Sequence, residues 1–334
     1  MKISILGTGQ WGTALAQVLS DAGNEVAMWG RNPSVATEIN DAHRNSKSLP
    51  GIELADSITA TTSKEKVFED AGAVLLAIPS QSLRENLNDF KPVFPTHLPV
   101  ISSLKGIELG THLRMTEVIQ DVLELHEDQI SIITGPNLAR EVVMRQPVGA
   151  VAASTSQELA DLTAELFHAP YFRAYTSTDV VGCELAAAAK NVIALAVGMA
   201  IGMGFGENTQ ALVITRGLNE LTRLGMARGA KPLTFVGLAG VGDLLATCGS
   251  SLSRNRSFGE TLGRSGSMEK AVEGATSTVE GVATASSIVE LAHSVGLEVP
   301  IMEAVADVVT NTITPTEAII RLMRVNTGAE IDHQ

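Results

Sequence analysis

A chain of 334 residues is long enough for about two domains. Its composition, 45% hydrophobic and 18% charged, supports a sizeable core and excludes a disordered chain. A net charge of -13 without a long basic cluster argues against a nucleic-acid surface, so an anionic ligand would have to meet local positive charge.

The chain opens on an apolar strand-like run, Ile3-Ser4-Ile5-Leu6, and lacks the long apolar region of a signal peptide. Gly7-Thr8-Gly9-Gln10-Trp11-Gly12 follows, and then a helix-forming stretch from Thr13 to Leu19. Strand, glycine-rich turn and helix in this order form the dinucleotide-binding arrangement. Gly7 permits the tight turn, Gly9 lets backbone approach a pyrophosphate, and Gly12 lets helix and strand pack closely. The helix N-terminus then offers unpaired N–H groups to the phosphates. The next strand, Glu25 to Trp29, runs into Gly30-Arg31-Asn32, where an NAD-selective site carries Asp or Glu. Arg31 at that point favours a 2′-phosphate, hence NADP; an exposed loop arginine is the plain alternative.

Further strands are expected at 73–78, 99–104, 129–134 and 148–153. Their near-continuous apolar runs imply a mostly parallel sheet buried on both faces. Ligands of such sheets sit beyond the carboxyl ends of the strands. Lys105, Gly135 and Asn137 fall there and are ligand candidates, although Gly135 and Asn137 also suit ordinary turns.

After about residue 178 helical periodicity takes over, giving expected domains of 1–178 and 179–334. Gly182 to Met199 is apolar on nearly every face and reads as a buried helix, yet Lys190-Asn191 stands in its middle. A buried ammonium is costly unless it is paired or loses its proton, and burial brings its pKa toward neutrality. A lysine that snorkels to solvent is the alternative. The apolar stretch 192–205 is too short to span a bilayer. Helices are expected over 207–228, 278–295 and 303–311, with a last one opening at Pro315. Residues 251–267 read as a loop plus a short helix. Asp243 follows a glycine-rich bend, as a functional carboxylate or as a helix N-cap. Ser253-Arg254-Asn255 concentrates hydroxyl, guanidinium and amide donors suited to phosphate, or to a solvated loop. Cys183 and Cys248 lie too far apart for a metal motif or a disulfide framework, which fits a reducing cytosol.

Taken together, these motifs resemble the NAD(P)-dependent glycerol-3-phosphate dehydrogenase family, in its bacterial biosynthetic branch. The resemblance rests on Gly7 through Ala16, Lys105-Gly106, Gly135 through Glu141, and Glu184 through Ala194. Asn208 through Leu218, Gly237 through Leu244, Ser253-Arg254-Asn255 and Val279-Glu280-Gly281 complete it. It implies a Rossmann-type domain followed by an all-helical domain of the 6-phosphogluconate dehydrogenase-like kind, in a cytoplasmic homodimer supplying glycerol 3-phosphate for phospholipids. It implies that Lys190 exchanges the proton at the substrate C2 oxygen, with Asn191 and Thr247 completing the polar shell. Lys105, Gly135, Asn137, Asp243, Ser253, Arg254 and Asn255 would contact glycerol 3-phosphate. Gln10, Trp11, Arg31, Lys105, Ala139, Arg254, Thr278 and Glu280 would contact NADP or NAD. Gln210 and Leu104 depart from the family pattern without removing any of these residues. A β-hydroxyacid or 6-phosphogluconate-type dehydrogenase shares the architecture, but the Gly240-Val241-Gly242-Asp243 and Ser253-Arg254-Asn255 motifs argue against it. A non-catalytic NADP-binding sensor would need no buried lysine beside phosphate ligands.

Overall fold

The computed structural model describes residues 1–275 and 279–324. The chain first alternates strand and helix: β1 (Lys2–Leu6), α1 (Gln10–Asp21), β2 (Glu25–Trp29), α2 (Pro33–Ala42), β3 (Ile58–Thr61) and β4 (Ala73–Leu76). It continues with α3 (Leu83–Phe90), β5 (Val100–Ser102), α4 (Met115–Leu123), β6 (Ile130–Thr134), α5 (Ala139–Val143), β7 (Val148–Ser154), α6 (Gln157–Leu166) and β8 (Phe172–Ser177). These strands form one eight-stranded sheet in the order β3-β2-β1-β4-β5-β6-β7-β8. Every neighbouring pair is parallel except β6 with β7. Strand order reverses beside β1, which makes a crevice at the carboxyl edge between β1 and β4.

Alternate strand residues cover the two faces. Ile3, Ile5, Met28 and Leu75 pack with Leu15 and Leu19 of α1 on one face. Leu6, Val74 and Leu76 pack with Leu87 and Phe90 of α3 and Val118 of α4 on the other. Both faces are therefore dry, which is why the central strands read as unbroken apolar runs. The edge strands β3 and β8 were not apparent from sequence. Their burial alternates or is sparse, so they carry too few apolar residues to stand out.

The helical half comprises α7 (Val180–Gly202), α8 (Glu207–Ala227), α9 (Pro232–Phe235), α10 (Asp243–Gly249), α11 (Arg254–Ser265), α12 (Met268–Glu273), α13 (Glu280–Ser294), α14 (Pro300–Val309) and α15 (Pro315–Met323). A π-helical turn over 238–242 leads into α10. Asp179 caps α7, accepting from Gly182 N at 2.9 Å. The core of this half forms around α7, whose Leu185, Val192, Ile193 and Leu195 are fully buried. Two stretches, Val180–Gly202 and Pro232–Gly249, are long and apolar enough to cross a membrane by composition, but most of the first lies inside the protein.

Residues 254–265 correct the expectation of a loop plus short helix: they form one twelve-residue helix capped by Ser253, whose Oγ accepts from Arg256 N at 3.3 Å. Its glycines explain the discrepancy. A Cβ on Gly259 or Gly263 would collide with the carbonyls of Leu195 and Met199, and one on Gly198 or Gly202 with those of Arg256 and Glu260. Glycine weakens an isolated helix, but here it lets α11 cross α7 at backbone distance. That crossing brings the N-terminus of α11 against the middle of α7.

Candidate active site

Lys190 stands midway along the buried helix α7 and is only 6% exposed, so it does not snorkel. Its Nζ donates to the carboxylate of Asp243 and, at 2.8 Å, to Thr247 Oγ1. Asp243 is 1% exposed and opens α10 directly after the π-helical turn. It makes no capping hydrogen bond; its second oxygen accepts from Lys105 Nζ at 2.8 Å. Lys105 comes from the loop after β5 and also reaches the carbonyl of Gly135, at 3.2 Å, beyond β6. One buried carboxylate thus joins two lysines 85 residues apart in sequence. Burial pushes the Lys190 pKa down to about 8; Asp243 opposes the shift and Lys105 adds to it. A lysine in that range exchanges its proton readily near neutral pH.

A second polar group adjoins the first. Asn255 Nδ2 donates to Asn191 Oδ1 at 2.9 Å, and Asn255 Oδ1 accepts from Gly281 N at 2.9 Å. Asn191 and Asn255 are therefore tied to the start of α13. Glu280, the first residue of α13, has its carboxyl pushed up by burial and pulled down by Arg254, Lys105 and Lys190, which locates all four in one electrostatic cluster. Arg254 and Asn255 occupy the first turn of α11, where N–H groups and the helix dipole favour an anion. Asn137, two residues past Gly135, has both side-chain polar atoms buried and without a partner among the described residues. Such a group costs free energy unless something else meets it.

The glycine-rich turn adjoins the crevice. Gly7 has φ +127° and a Cβ there would strike the Ala77 carbonyl, so only glycine fits. A Cβ on Gly9 meets nothing within 4 Å, whereas one on Gly12 would stand 2.5 Å from the Gly7 carbonyl. The middle glycine faces open space while its neighbours are packed, which is the cradle a pyrophosphate needs. Gln10 and Arg31 are exposed at the same edge, and Gly7 N donates to Trp29 O at 2.9 Å beside Arg31. Trp11 and Ala139 pack together against Val143, and Trp11 Nε1 is buried without a partner among the described residues.

Comparison with known proteins agrees with this arrangement. Models of the NAD-dependent glycerol-3-phosphate dehydrogenase N-terminus and C-terminus match residues 2–160 and 179–320. A glycerol-3-phosphate dehydrogenase [NAD(P)+] of Corynebacterium glutamicum is 50% identical over 331 residues, covering 99% of this chain and all of its own. One from Streptomyces griseus is 48% identical, over 97% of this chain and 96% of its own. The chain belongs to the NAD-dependent glycerol-3-phosphate dehydrogenase family. Among solved structures, the glycerol-3-phosphate dehydrogenase of Coxiella burnetii superposes with a TM-score of 0.91 at 32% identity, over 97% of this chain and 98% of that one. The Saccharomyces cerevisiae enzyme gives 0.82 at 28% identity, over 96% and 99%. A D-mandelate dehydrogenase gives 0.58 at 12% identity, a likeness of fold alone.

Of the residues singled out from sequence, Lys105, Gly135, Lys190, Asp243 and Thr247 converge directly, and Asn191, Arg254, Asn255 and Glu280 adjoin them. Ser253 is buried, and its Oγ caps α11. Thr278 lies outside the described residues. Sequence reasoning missed the partners of Glu184, a 4%-exposed carboxylate on α7. The signal was a second charge in an apolar helix, but its partners, Arg114 and Thr116, lie about 70 residues earlier.

Proposed function

We propose that this member of the family interconverts sn-glycerol 3-phosphate and dihydroxyacetone phosphate with NAD(P)(H), and that Lys190 exchanges the proton at the C2 oxygen. The observation that carries the role is Lys190 itself, buried in an apolar helix with a pKa near 8 and hydrogen-bonded to Asp243 and Thr247. When bound, NAD(P)+ would supply the acceptor for the hydride that leaves C2. As that C–H bond breaks, the hydroxyl O–H bond breaks too, its proton passes to the neutral Lys190 amine, and the C=O bond forms. In reduction the ammonium returns the proton to the ketone oxygen. Thr247 and Asp243 hold the lysine nitrogen in place, so little reorganisation accompanies the transfer.

Lys105, Asn137, Ser253, Arg254 and Asn255 would hold the phosphate and hydroxyls, with the Gly135 carbonyl and Asn191 completing the wall. The first turn of α11 and the unpartnered Asn137 support this reading. Gly7, Gly9, Gln10, Trp11, Gly12 and Ala139 would hold the pyrophosphate and adjoining parts of the dinucleotide, with Lys105, Arg254 and Glu280 as further cofactor contacts. Arg31, exposed after β2 where no acid stands, supports NADPH as the favoured cofactor. A division at 178/179 falls between β8 and the Asp179 cap of α7. Exposed Leu233, Val236, Leu245 and Leu252 support a homodimer, and the two buried free cysteines suit a reducing cytoplasm. The role in this setting is supply of glycerol 3-phosphate to phospholipid synthesis.

The test is Lys190→Ala, assayed as NADPH oxidation with dihydroxyacetone phosphate. Turnover should fall by roughly 10²–10⁴-fold, the scale of general acid–base catalysis, while NADPH binding is retained. Wild-type turnover would remove Lys190 from the reaction.

A further inference from the structure

Between β5 and α4 the chain forms a small hairpin. Ile107 bridges Arg114 in antiparallel fashion, and Glu108 N donates to Leu113 O at 2.9 Å. Lys105 stands two residues before this bridge. At the far side, Arg114 Nη1 donates to Glu184 Oε2 at 2.7 Å, and Thr116 donates to the same carboxylate through its N at 2.9 Å and Oγ1 at 2.6 Å. Arg114 Nη2 also pairs with Glu117 at 2.9 Å. Glu184 lies on α7, six residues before Lys190. The hairpin is thus fastened to α7 at Glu184, while Lys105 at its root shares Asp243 with Lys190.

We propose that Arg114 and Glu184 are positioning residues that seat the hairpin on α7 and thereby hold Lys105 at the carboxylate it shares with Lys190. This inference rests on the reading of Lys190 as the proton carrier. A buried ion pair gains little stability over an apolar pair of similar volume, so its use here points to register rather than strength. The fork of Arg114 divides between Glu184 on α7 and Glu117 on α4, which sets both the distance and the angle between these helices. Glu184 needs this partner, since burial alone pushes its carboxyl up and Arg114 and Thr116 pull it back. The coupling to Lys105 runs through the Ile107–Arg114 bridge, with Ile107 fully buried in the α7 core.

Among the described residues, the charged and titratable groups facing Lys190 are Asp243, Lys105, Glu280 and Cys248. Of these, only Lys105 is carried by the hairpin. If the hairpin shifts, Lys190 loses a neighbouring cation and keeps its anion, so its proton is held more tightly.

The experiment measures kcat/KM for glycerol 3-phosphate oxidation against pH in wild type, Arg114→Met, Glu184→Gln, Lys105→Met, Lys190→Ala and the double variant Lys105→Met/Arg114→Met. Arg114→Met should lower kcat by roughly 10-fold or more, the scale of a sub-ångström to ångström misplacement. Its rising pH limb should move to higher pH, as should that of Lys105→Met. The double variant should place the limb where Lys105→Met alone places it, because both changes remove the same cation. Glu184→Gln keeps the shape and an acceptor for Thr116, so it reports if Arg114→Met fails to fold; its limb should move the same way. A limb left at the wild-type position in Glu184→Gln, or additive shifts in the double variant, overturns the inference alone. Full activity with an unchanged limb in Lys190→Ala overturns the reading on which the inference rests, and the inference with it.

Discussion

Replacing Asp243 by asparagine tests the electrostatics of the site most directly. Lys190 has a pKa of about 8, the result of burial and Lys105 lowering it and Asp243 raising it. At pH 7 such a lysine is roughly one-tenth neutral, against roughly three parts in ten thousand for an ordinary lysine. The site therefore supplies roughly 300-fold more free base, which is how lysine serves as a proton acceptor near neutrality. Glycerol 3-phosphate oxidation needs the neutral amine, so its kcat/KM should rise with pH and level off above about 8. Ketone reduction needs the ammonium, so its pH profile should fall through the same region. Asp243→Asn removes the charge that favours the ammonium and leaves burial and Lys105 in place. The oxidation limb should then move below 8, and reduction at pH 7 should lose more than oxidation does. The assay is kcat/KM in both directions from about pH 6 to 10, which reports the free enzyme. An unmoved limb, or one that moves upward, would refute the assignment of Lys190 as the titrating group.

Three further outcomes follow from particular contacts. Gly9→Ala should leave Tm unchanged, because its Cβ meets nothing, yet weaken NADPH binding measured by fluorescence titration; Gly12→Ala, which drives a Cβ against the Gly7 carbonyl, should instead cost about 1–3 kcal/mol of stability. Arg31→Asp should move the ratio of kcat/KM values toward NADH, and an unchanged ratio would make Arg31 a surface residue. Glu220 is buried beneath the start of α14, accepting from Ile301 N at 2.8 Å and Met302 N at 3.2 Å, and burial raises its pKa to about 7. A raised acid holds its proton in the folded state after the unfolded chain has released it, so its contribution is complete below about 4.5 and fades as pH rises through about 7. Glu220→Gln should therefore be more stable than wild type at pH 8, on the order of 2–3 kcal/mol, and lose that advantage by pH 5; equal pH dependence of denaturant midpoints in the two proteins would contradict this.

Features set by local backbone chemistry were legible in the sequence. The turn from Gly7 to Gly12 declared itself because Gly7 and Gly12 each answer a nearby steric demand while Gly9 leaves open space between them, and the apolar strands declared a sheet covered on both faces. Lys190 declared itself as a charge in the wrong surroundings. What the chain order concealed was partnership. Asp243 read equally well as a cap, and only the packing of α10 on α7 makes it the shared anion of two lysines. The polar, glycine-bearing run 251–267 read as a loop plus only a short helix because the full length of α11 depends on a backbone crossing with α7 that no local propensity reports. Glu184 likewise found Arg114 only through the hairpin after β5. The sign of the Lys190 shift belongs to the tertiary structure as well. Composition supplies the ammonium, but burial depth and the distances to one carboxylate and one further lysine decide how tightly it keeps its proton.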